Sequence, residues 1–341
     1  MTRRIDYRVE VLRNGAPLCT LQAASPPSVT AALNAEIHMS MSGTFRHDPR
    51  VDYFQDALRL IMTINGEDRA VGEFYVGTAP TSYTEAGVRF DSVEAYDGCY
   101  LLTLARTETI LHYDAGTSYQ TIIDGLLIEA GILRRIFLPT AAVTLTARED
   151  WDIGTSYLKI INRLLTEINY APVRFDARGY ALIQPLAEPR AANIRYRYGG
   201  KGETLLARPA SATVDLFGQP NVFIVTCSNP DMNAPMTATA VNDNPLSALS
   251  TIRTGRRIAQ RYSVDNIASQ EDLELYAESI RDASILRGQT AQITTEADPG
   301  HSIGEVVAIQ HDALGGIYRE TAWSLTPGGQ MEHTIERLIL I

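Results

Sequence analysis

The residues best suited to chemistry are the acids of the segment Glu149-Asp150-Trp151-Asp152. Paired carboxylates beside an aromatic ring are the groups that a glycoside hydrolase uses, because apolar contact raises the pKa of one acid. The competing interpretation is a turn at Asp150 and Asp152 that leads into a helix, with Trp151 anchoring the turn in the core. Adjacent acids on one turn are poorly arranged to flank a bond from opposite sides, so we favour the structural interpretation.

Other chemical signatures are weak. No histidine lies at the spacing of a helical metal site, no GxSxG motif exists, and no cysteine has an adjacent histidine. Gly199-Gly200-Lys201-Gly202 lacks the ending of a phosphate-binding loop and predicts a glycine-rich turn. Three widely spaced cysteines fit a reducing compartment and argue against both a disulfide framework and a CxxC zinc site. We therefore predict no catalytic, cofactor-binding or metal-binding residue.

Charge argues against tight nucleic-acid binding. The chain carries 40 acidic and 30 basic residues, a net charge of -10, and therefore repels phosphate backbones. Lys159 and Lys201 are the only lysines, so 28 of the 30 basic residues are arginines. Genomic base composition explains this bias without function, but arginine also suits carboxylate pairing between subunits.

A basic patch precedes the last predicted helix. It contains no interleaved aromatic residue, so a protein contact or a solvated face is favoured over a nucleic-acid site. The residues of this arginine patch are Arg253, Arg256, Arg257 and Arg261.

The elements that would position these residues divide the chain of 341 residues into three parts. Residues 1–112 are predicted to be an antiparallel β-barrel domain, because short alternating strands are separated by turns such as Asn14-Gly15 and Asn65-Gly66. Residues 113–190 change to a helical period and predict an α+β insert. Residues 191–341 predict a second β domain with a loop and helix insertion at 229–290.

The insert contains an internal similarity. Gly116-Thr117-Ser118-Tyr119 recurs as Gly154-Thr155-Ser156-Tyr157, and each copy precedes an apolar helical stripe. The spacing predicts one helix between residues 117 and 131 and a second between residues 155 and 172, followed by a hairpin with its turn at 176–179. Two copies with a β-like segment between them favour two similar helices packed on a small sheet over a solenoid.

In the third part, 222–227 is predicted to be a strand and 229–247 a loop or irregular segment, because the latter is rich in Asn, Pro, Asp and Ala. Ser269 begins a third helix that ends near Gly288. Pro327-Gly328-Gly329 predicts the turn into a final strand. No apolar run is long enough to span a bilayer, and the charged N-terminus does not resemble a signal peptide.

The order of these features resembles the tail-hub proteins of bacteriophages and related contractile injection systems, a family that includes the N-terminal part of type VI secretion spike proteins. The features that carry the resemblance run along the whole chain. They are Ala95-Tyr96-Asp97, Tyr100-Leu101-Leu102, Gly154-Thr155-Ser156-Tyr157-Leu158, the hairpin of residues 175–183 ending at Pro185, Ser302-Ile303-Gly304-Glu305-Val306-Val307, and Gly316 with Tyr318.

The resemblance implies a β-rich α+β fold with two tube-like β-barrels and a non-enzymatic structural role in the virion. It implies a homotrimer that joins a six-fold tail tube or distal tail ring to a three-fold spike or tip, with DNA only passing through the channel. Neighbours would be a distal tail or tail tube protein and a separate spike, tip or tail-fibre protein. Assembly in the host bacterial cytoplasm, without a membrane anchor or cofactor, follows from the same resemblance.

The alternative is a carbohydrate-active β protein, either a hydrolase that uses Asp150 and Asp152 or a glycan-binding module. The absence of a convincing acid pair or exposed aromatic platform in the sequence favours the assembly subunit. Three chains would carry a summed charge of -30, so we expect an acidic or neutral channel wall and arginines mainly at subunit boundaries.

Overall fold

The computed structural model describes residues 3–138, 143–187, 189–199, 207–213, 219–227, 235–264, 267, 269–285, 290–311 and 314–338. Three residues of the predicted turn at 199–202, Gly200, Lys201 and Gly202, and the predicted helix end at Gly288 lie outside the described residues. No helix in the described ranges has the length and apolarity that crossing a membrane requires.

The first β region has eight described strands, and the two predicted Asn-Gly turns join the first strand to the second and the fifth strand to the sixth. Asn14 and Asn65 adopt positive φ angles of 52°, each followed by a glycine at positive φ, as a tight two-residue hairpin requires. The strands are β1 (Ile5–Arg13), β2 (Ala16–Leu21), β3 (Ser28–Ala32), β4 (Met39–Arg46), β5 (Ala57–Ile64), β6 (Glu67–Thr78), β7 (Thr81–Tyr83) and β8 (Arg89–Tyr96).

The helical part follows directly. Its elements are α1 (Cys99–Leu104), β9 (Leu111–Tyr113), α2 (Tyr119–Glu129), β10 (Arg135–Phe137), β11 (Glu149–Trp151), α3 (Tyr157–Glu167), β12 (Arg174–Phe175) and β13 (Ala181–Ile183). Both predicted helices and the hairpin are confirmed. Cys99 and Leu102 belong to the same core as α2 and α3, so this core begins before residue 113.

The two similar segments adopt the same local structure. Gly116 and Gly154 have φ angles of 85° and 82°, and the hydroxyls of Thr117 and Thr155 each donate to the carbonyl oxygen three residues earlier at 2.7 Å. Each helix then begins at the following tyrosine, with a serine at its N-cap. Between the copies, residues 139–142 of the β-like segment are outside the described residues, and Thr144 forms an isolated bridge with Ser118.

The described residues of the third part form nine strands and two helices, preceded by a 3-10 turn at Ala191–Asn193. They are β14 (Ile194–Gly199), β15 (Ala207–Thr213), β16 (Val222–Cys227), β17 (Met236–Val241), α4 (Thr251–Thr254), β18 (Ala259–Val264), α5 (Gln270–Ile285), β19 (Thr290–Glu296), β20 (Val306–Gln310), β21 (Gly316–Leu325) and β22 (Gln330–Arg337).

One sequence prediction in this part is wrong. The segment 229–247 contains strand β17, which pairs antiparallel with β16 over its full length. Its Met-Thr-Ala-Thr-Ala-Val sequence alternates, so that Ala238 and Ala240 are buried beside Val225 under α5. Residues 228–234 of the predicted loop are outside the described residues.

The two β regions share one large sheet. Fourteen strands belong to it, with the central order β15-β19-β22-β21-β3-β4-β8-β6-β5-β1-β2. The junction is the antiparallel pair of β3 with β21, in which Ala31 opposes Trp323. Trp323, Leu325 and Met331 also pack in the core of the first β region. The fold is therefore β-rich α+β as predicted, whereas the description as two barrels is not confirmed.

Candidate functional site

The acids predicted from the sequence lie on the surface. Asp150 is the middle residue of β11, its side chain is 53% exposed, and it forms a salt bridge with Arg148 at 2.9 Å. Asp152 is also exposed. Between them Trp151 is buried, as the structural interpretation predicted, but Asp150 belongs to a strand and not to the predicted turn. This arrangement does not enclose a substrate between the two carboxylates.

A buried acidic group lies on the opposite face of β11, and the sequence did not predict it. Glu149 approaches Arg163 at 3.5 Å, and Glu167 accepts hydrogen bonds from the Tyr119 hydroxyl at 3.0 Å and Arg163 Nε at 3.4 Å. The Glu167 side chain is only 3% exposed. Burial and the nearby Glu149 charge raise the pKa of Glu167 to about 7. Because these groups tie α2 and α3 together, we assign them a role in stability.

The arginine patch surrounds α4 and β18. Arg253 is in the last turn of α4, and Arg256 and Arg257 follow this helix. Arg261 is on β18. All four side chains are exposed. Arg261 donates to the Thr226 hydroxyl at 3.2 Å. Within the described residues the structure shows no carboxylate salt bridge for these four side chains. Their role as a protein contact stays a prediction.

Other arginines are satisfied within the chain. Arg13 pairs with Asp56 at 2.8 Å, and Arg59 and Arg134 both pair with the buried Glu73. These pairs join distant segments of one chain. The expectation that arginines lie mainly at subunit boundaries therefore does not apply to them.

A cleft of about 630 Å³ lies where the three parts of the chain meet. Its walls carry the arginines Arg69, Arg174, Arg178 and Arg195, together with His301 and Glu305. Burial lowers the pKa of Arg174, whose guanidinium donates to the carbonyl oxygen of Ile303 at 2.8 Å. This hydrogen bond holds the hairpin β12–β13 against the segment before β20.

A buried cluster of two histidines and a glutamate lies behind this cleft. His301 Nδ1 is 2.9 Å from one carboxylate oxygen of Glu320, and His333 Nδ1 contacts the other. The other nitrogen of each ring contacts a hydroxyl group. His301 Nε2 is 2.5 Å from the Tyr198 hydroxyl, and His333 Nε2 is 2.7 Å from the Thr295 hydroxyl. The side chains of the two histidines and Glu320 are at most 1% exposed.

Glu305 completes the cluster at its cleft side. Its Oε1 atom is 3.2 Å from Arg195 Nε, and its Oε2 atom is 3.8 Å from His301 Nδ1. Burial raises the pKa of Glu305. Burial alone would also raise the pKa of Glu320, but hydrogen bonds from His301 and His333 bring it below its ordinary value. Two carboxylates are thus held in a largely buried site.

Local spacing along the chain did not predict this cluster. Glu320 on β21 and His333 on β22 become neighbours through the hairpin at 327–329, because Trp323 opposes His333 and Glu320 opposes Ile335 in the register. The strong Pro-Gly-Gly turn was the available signal for this pair. His301 comes from a separate loop, and no pattern in the sequence placed it there.

Neither a protein-family model nor a curated protein matches the sequence. Solved structures match over nearly the whole chain. The 43 kDa tail protein of prophage MuSo2 from Shewanella oneidensis is 14% identical, with a TM-score of 0.65 and 98% of each chain covered. A tail protein from Neisseria meningitidis MC58 is 12% identical, with a TM-score of 0.68, 97% of this chain covered and 96% of that one. The chain has a phage tail-protein fold.

A component of a secretion apparatus has a similar fold. The E. coli c3393 protein, a component of the type VI secretion system described as similar to the T4 tail proteins gp27 and gp5, is 10% identical. Its TM-score is 0.55, and the match covers 99% of this chain and 77% of that one. The resemblance inferred from the sequence is thus confirmed at the level of the phage tail-protein fold.

Proposed function

We propose that this protein is a non-enzymatic structural subunit of a phage tail or related injection apparatus, acting as a hub in the baseplate or tail tip. The observation that carries the proposal is the match to the MuSo2 tail protein across 98% of both chains. In this role the chain forms a homotrimer in the virion, and its two β regions act as tube-like units around a channel through which DNA passes. The trimer joins a six-fold tail tube or distal tail ring to a three-fold spike or tip.

The edges of the large sheet support contact with neighbouring chains. Among the described strands, β2 pairs with β1 alone and β15 pairs with β19 alone, so each presents one free edge. Exposed strand edges tend to pair with another chain unless they are protected. Pro17 and Pro209 each remove one donor, so edge pairing in a trimer would use the remaining residues of these strands.

Exposed apolar side chains support the same role. Phe54 is fully exposed on the loop before β5, and Leu133 is 71% exposed after α2. The helical part also exposes Leu104, Ile110 and Ile153. In an assembly, such side chains would add apolar contact area to the interfaces that cover them.

The carbohydrate-active alternative depends on Asp150 and Asp152. Both are exposed and Asp150 is paired with Arg148, which supports the structural role over hydrolysis. The decisive experiment uses the purified full chain at micromolar concentration. Native mass spectrometry should show a trimer, and cryo-electron microscopy of particles carrying the chain should show three copies at the tail tip. Monomers in solution together with a single copy at the tail tip would refute the proposal. Release of glycan from cell wall by the wild type, if D150N/D152N abolishes it, would also refute the proposal.

A further inference from the structure

The buried cluster formed by His301, Glu305, Glu320 and His333 brings four potential metal ligands together. The ligand atoms of His301, Glu320 and His333 all lie within 4.8 Å of one another. Glu305 Oε2 is 3.8 Å from His301 Nδ1. Nothing in the proposed structural role requires this cluster.

The contacts of His333 allow two placements of its ring proton. The Thr295 hydroxyl lies 3.1 Å from the carbonyl oxygen of Glu296 and 2.7 Å from His333 Nε2, so when it donates to the carbonyl its oxygen accepts a hydrogen bond from Nε2. A neutral imidazole carries one ring proton, and Nδ1 then presents a lone pair. That lone pair faces a carboxylate oxygen of Glu320. With this placement the two facing acceptors need a cation between them, either a second ring proton or a metal ion, whereas with Thr295 donating to Nε2 the Nδ1 proton pairs with Glu320 directly.

Glu305 contributes a buried carboxylate oxygen to the same cluster. Its Oε2 atom is buried and has no hydrogen-bond partner among the described residues. Leaving a buried carboxylate oxygen unpaired is costly, and a second proton on His333 does not pair it. Arg195 approaches the other oxygen of Glu305 from the exposed side. A divalent cation between the imidazoles and carboxylates accounts for both the facing acceptors and the unpaired oxygen.

We propose that His301, His333, Glu320 and Glu305 bind one divalent first-row transition ion, for which zinc is the best match. Two imidazole nitrogens with carboxylate oxygens suit zinc, whereas calcium and magnesium prefer oxygen ligands throughout. Tyr198 and Thr295 then accept hydrogen bonds from the outer ring nitrogens and fix the ring orientations, as is usual for metal-bound histidine. Four protein ligands make the site structural.

The site links three separate segments of the chain between residues 301 and 333. His301 and Glu305 belong to the segment before β20, whereas Glu320 is on β21 and His333 is on β22. His301 and Glu305 also line the cleft, which gives an ion a route from solvent. The bound ion therefore fastens the cleft wall to the β21–β22 hairpin.

The test uses the untagged full chain, purified without chelator and analysed for metal content by elemental mass spectrometry. We expect about one zinc per chain, loss of the ion in H333A and E320Q, and weaker zinc binding in E305Q. The control H112A removes an exposed histidine on β9 and should retain the metal. Zinc should also raise the Tm of chelator-treated wild type, and cobalt should give the visible absorption of a four-coordinate site.

If a variant fails to fold, metal uptake and the Tm of the wild-type protein still test the site. Folded wild type that takes up no stoichiometric zinc or cobalt, with the same Tm in chelator and in zinc, would overturn the site. Equal uptake by wild type, E305Q and H333A would also overturn it, because the metal would then be bound elsewhere. The oligomeric state is measured separately, so failure of this site and failure of the proposed function can be distinguished.

Discussion

The hydroxyl of Tyr119, at the start of α2, donates a hydrogen bond to Glu167, at the end of α3, at 3.0 Å. The repeated segment forms the reciprocal bond, since the hydroxyl of Tyr157 at the start of α3 donates to Glu129 at the end of α2 at 2.9 Å. The similarity of the two sequence segments thus continues into an approximately two-fold arrangement of the helices. The two bonds differ in burial, because Glu167 is buried and Glu129 is exposed.

This difference makes the two tyrosines a matched pair for mutation. Y119F leaves the buried Glu167 short of one donor and should lower the free energy of unfolding by about 1–3 kcal/mol. Y157F removes the same bond at an exposed acid and should cost less than about 0.5 kcal/mol. Denaturant unfolding at neutral pH measures both. Equal effects would show that burial does not determine the contribution of the bond.

Glu167 should make the stability of the chain depend on pH. Its pKa is about 7 in the folded chain, against an ordinary value of 4.5. Between these values the folded state keeps the proton that the unfolded state has lost, so stability falls as pH rises through this window and the loss is complete above it. E167Q should remove this contribution. Its stability relative to wild type should therefore rise by about 1–3 kcal/mol from pH 5 to pH 8. Denaturant titrations at the two pH values measure it, and a constant difference would contradict the buried-acid assignment.

Gly98 is required where the first β region meets the helical part. A Cβ atom there would lie 2.2 Å from a ring carbon of Phe175. G98A should therefore lower the free energy of unfolding by about 1–3 kcal/mol, because the buried ring has to move. G125A is the control, since Gly125 lies within α2 with open space around its Cβ position. It should stabilise the chain by up to about 1 kcal/mol. Thermal unfolding of both variants tests the contrast, and a neutral G98A would refute it.

The sequence predicted the elements whose signals are local. The turns at Asn14-Gly15 and Asn65-Gly66 fix their hairpins because few other residue pairs adopt positive φ so readily. The helices α2 and α3 were evident from their apolar stripes. Strand β17 was missed because small residues such as Ala238 and Ala240 give little contrast between strand and loop, and burial under α5 decides the outcome.

Long-range relationships were not accessible in the same way. The pair of β3 with β21 joins residues almost three hundred positions apart, and two β regions with turns at similar spacing did not indicate a shared sheet. The buried cluster around Glu320 depends on that assembled sheet. The acids that the sequence made prominent, Asp150 and Asp152, are on the surface because the alternation of β11 turns Glu149 and Trp151 inward instead.

The arginine patch is expected to contribute to contact with another subunit. Arg256 and Arg257 are exposed, and the structure shows no salt bridge for either within the described part of the chain. If the patch contacts an acidic surface of another subunit, R256E/R257E should weaken assembly about tenfold or more while leaving the Tm of the isolated chain unchanged. R256K/R257K keeps the charge and should retain most of the assembly, and added salt should weaken the wild-type contact. Native mass spectrometry over a concentration series measures these effects. Unchanged assembly of the glutamate variant would assign the four arginines to a solvated face.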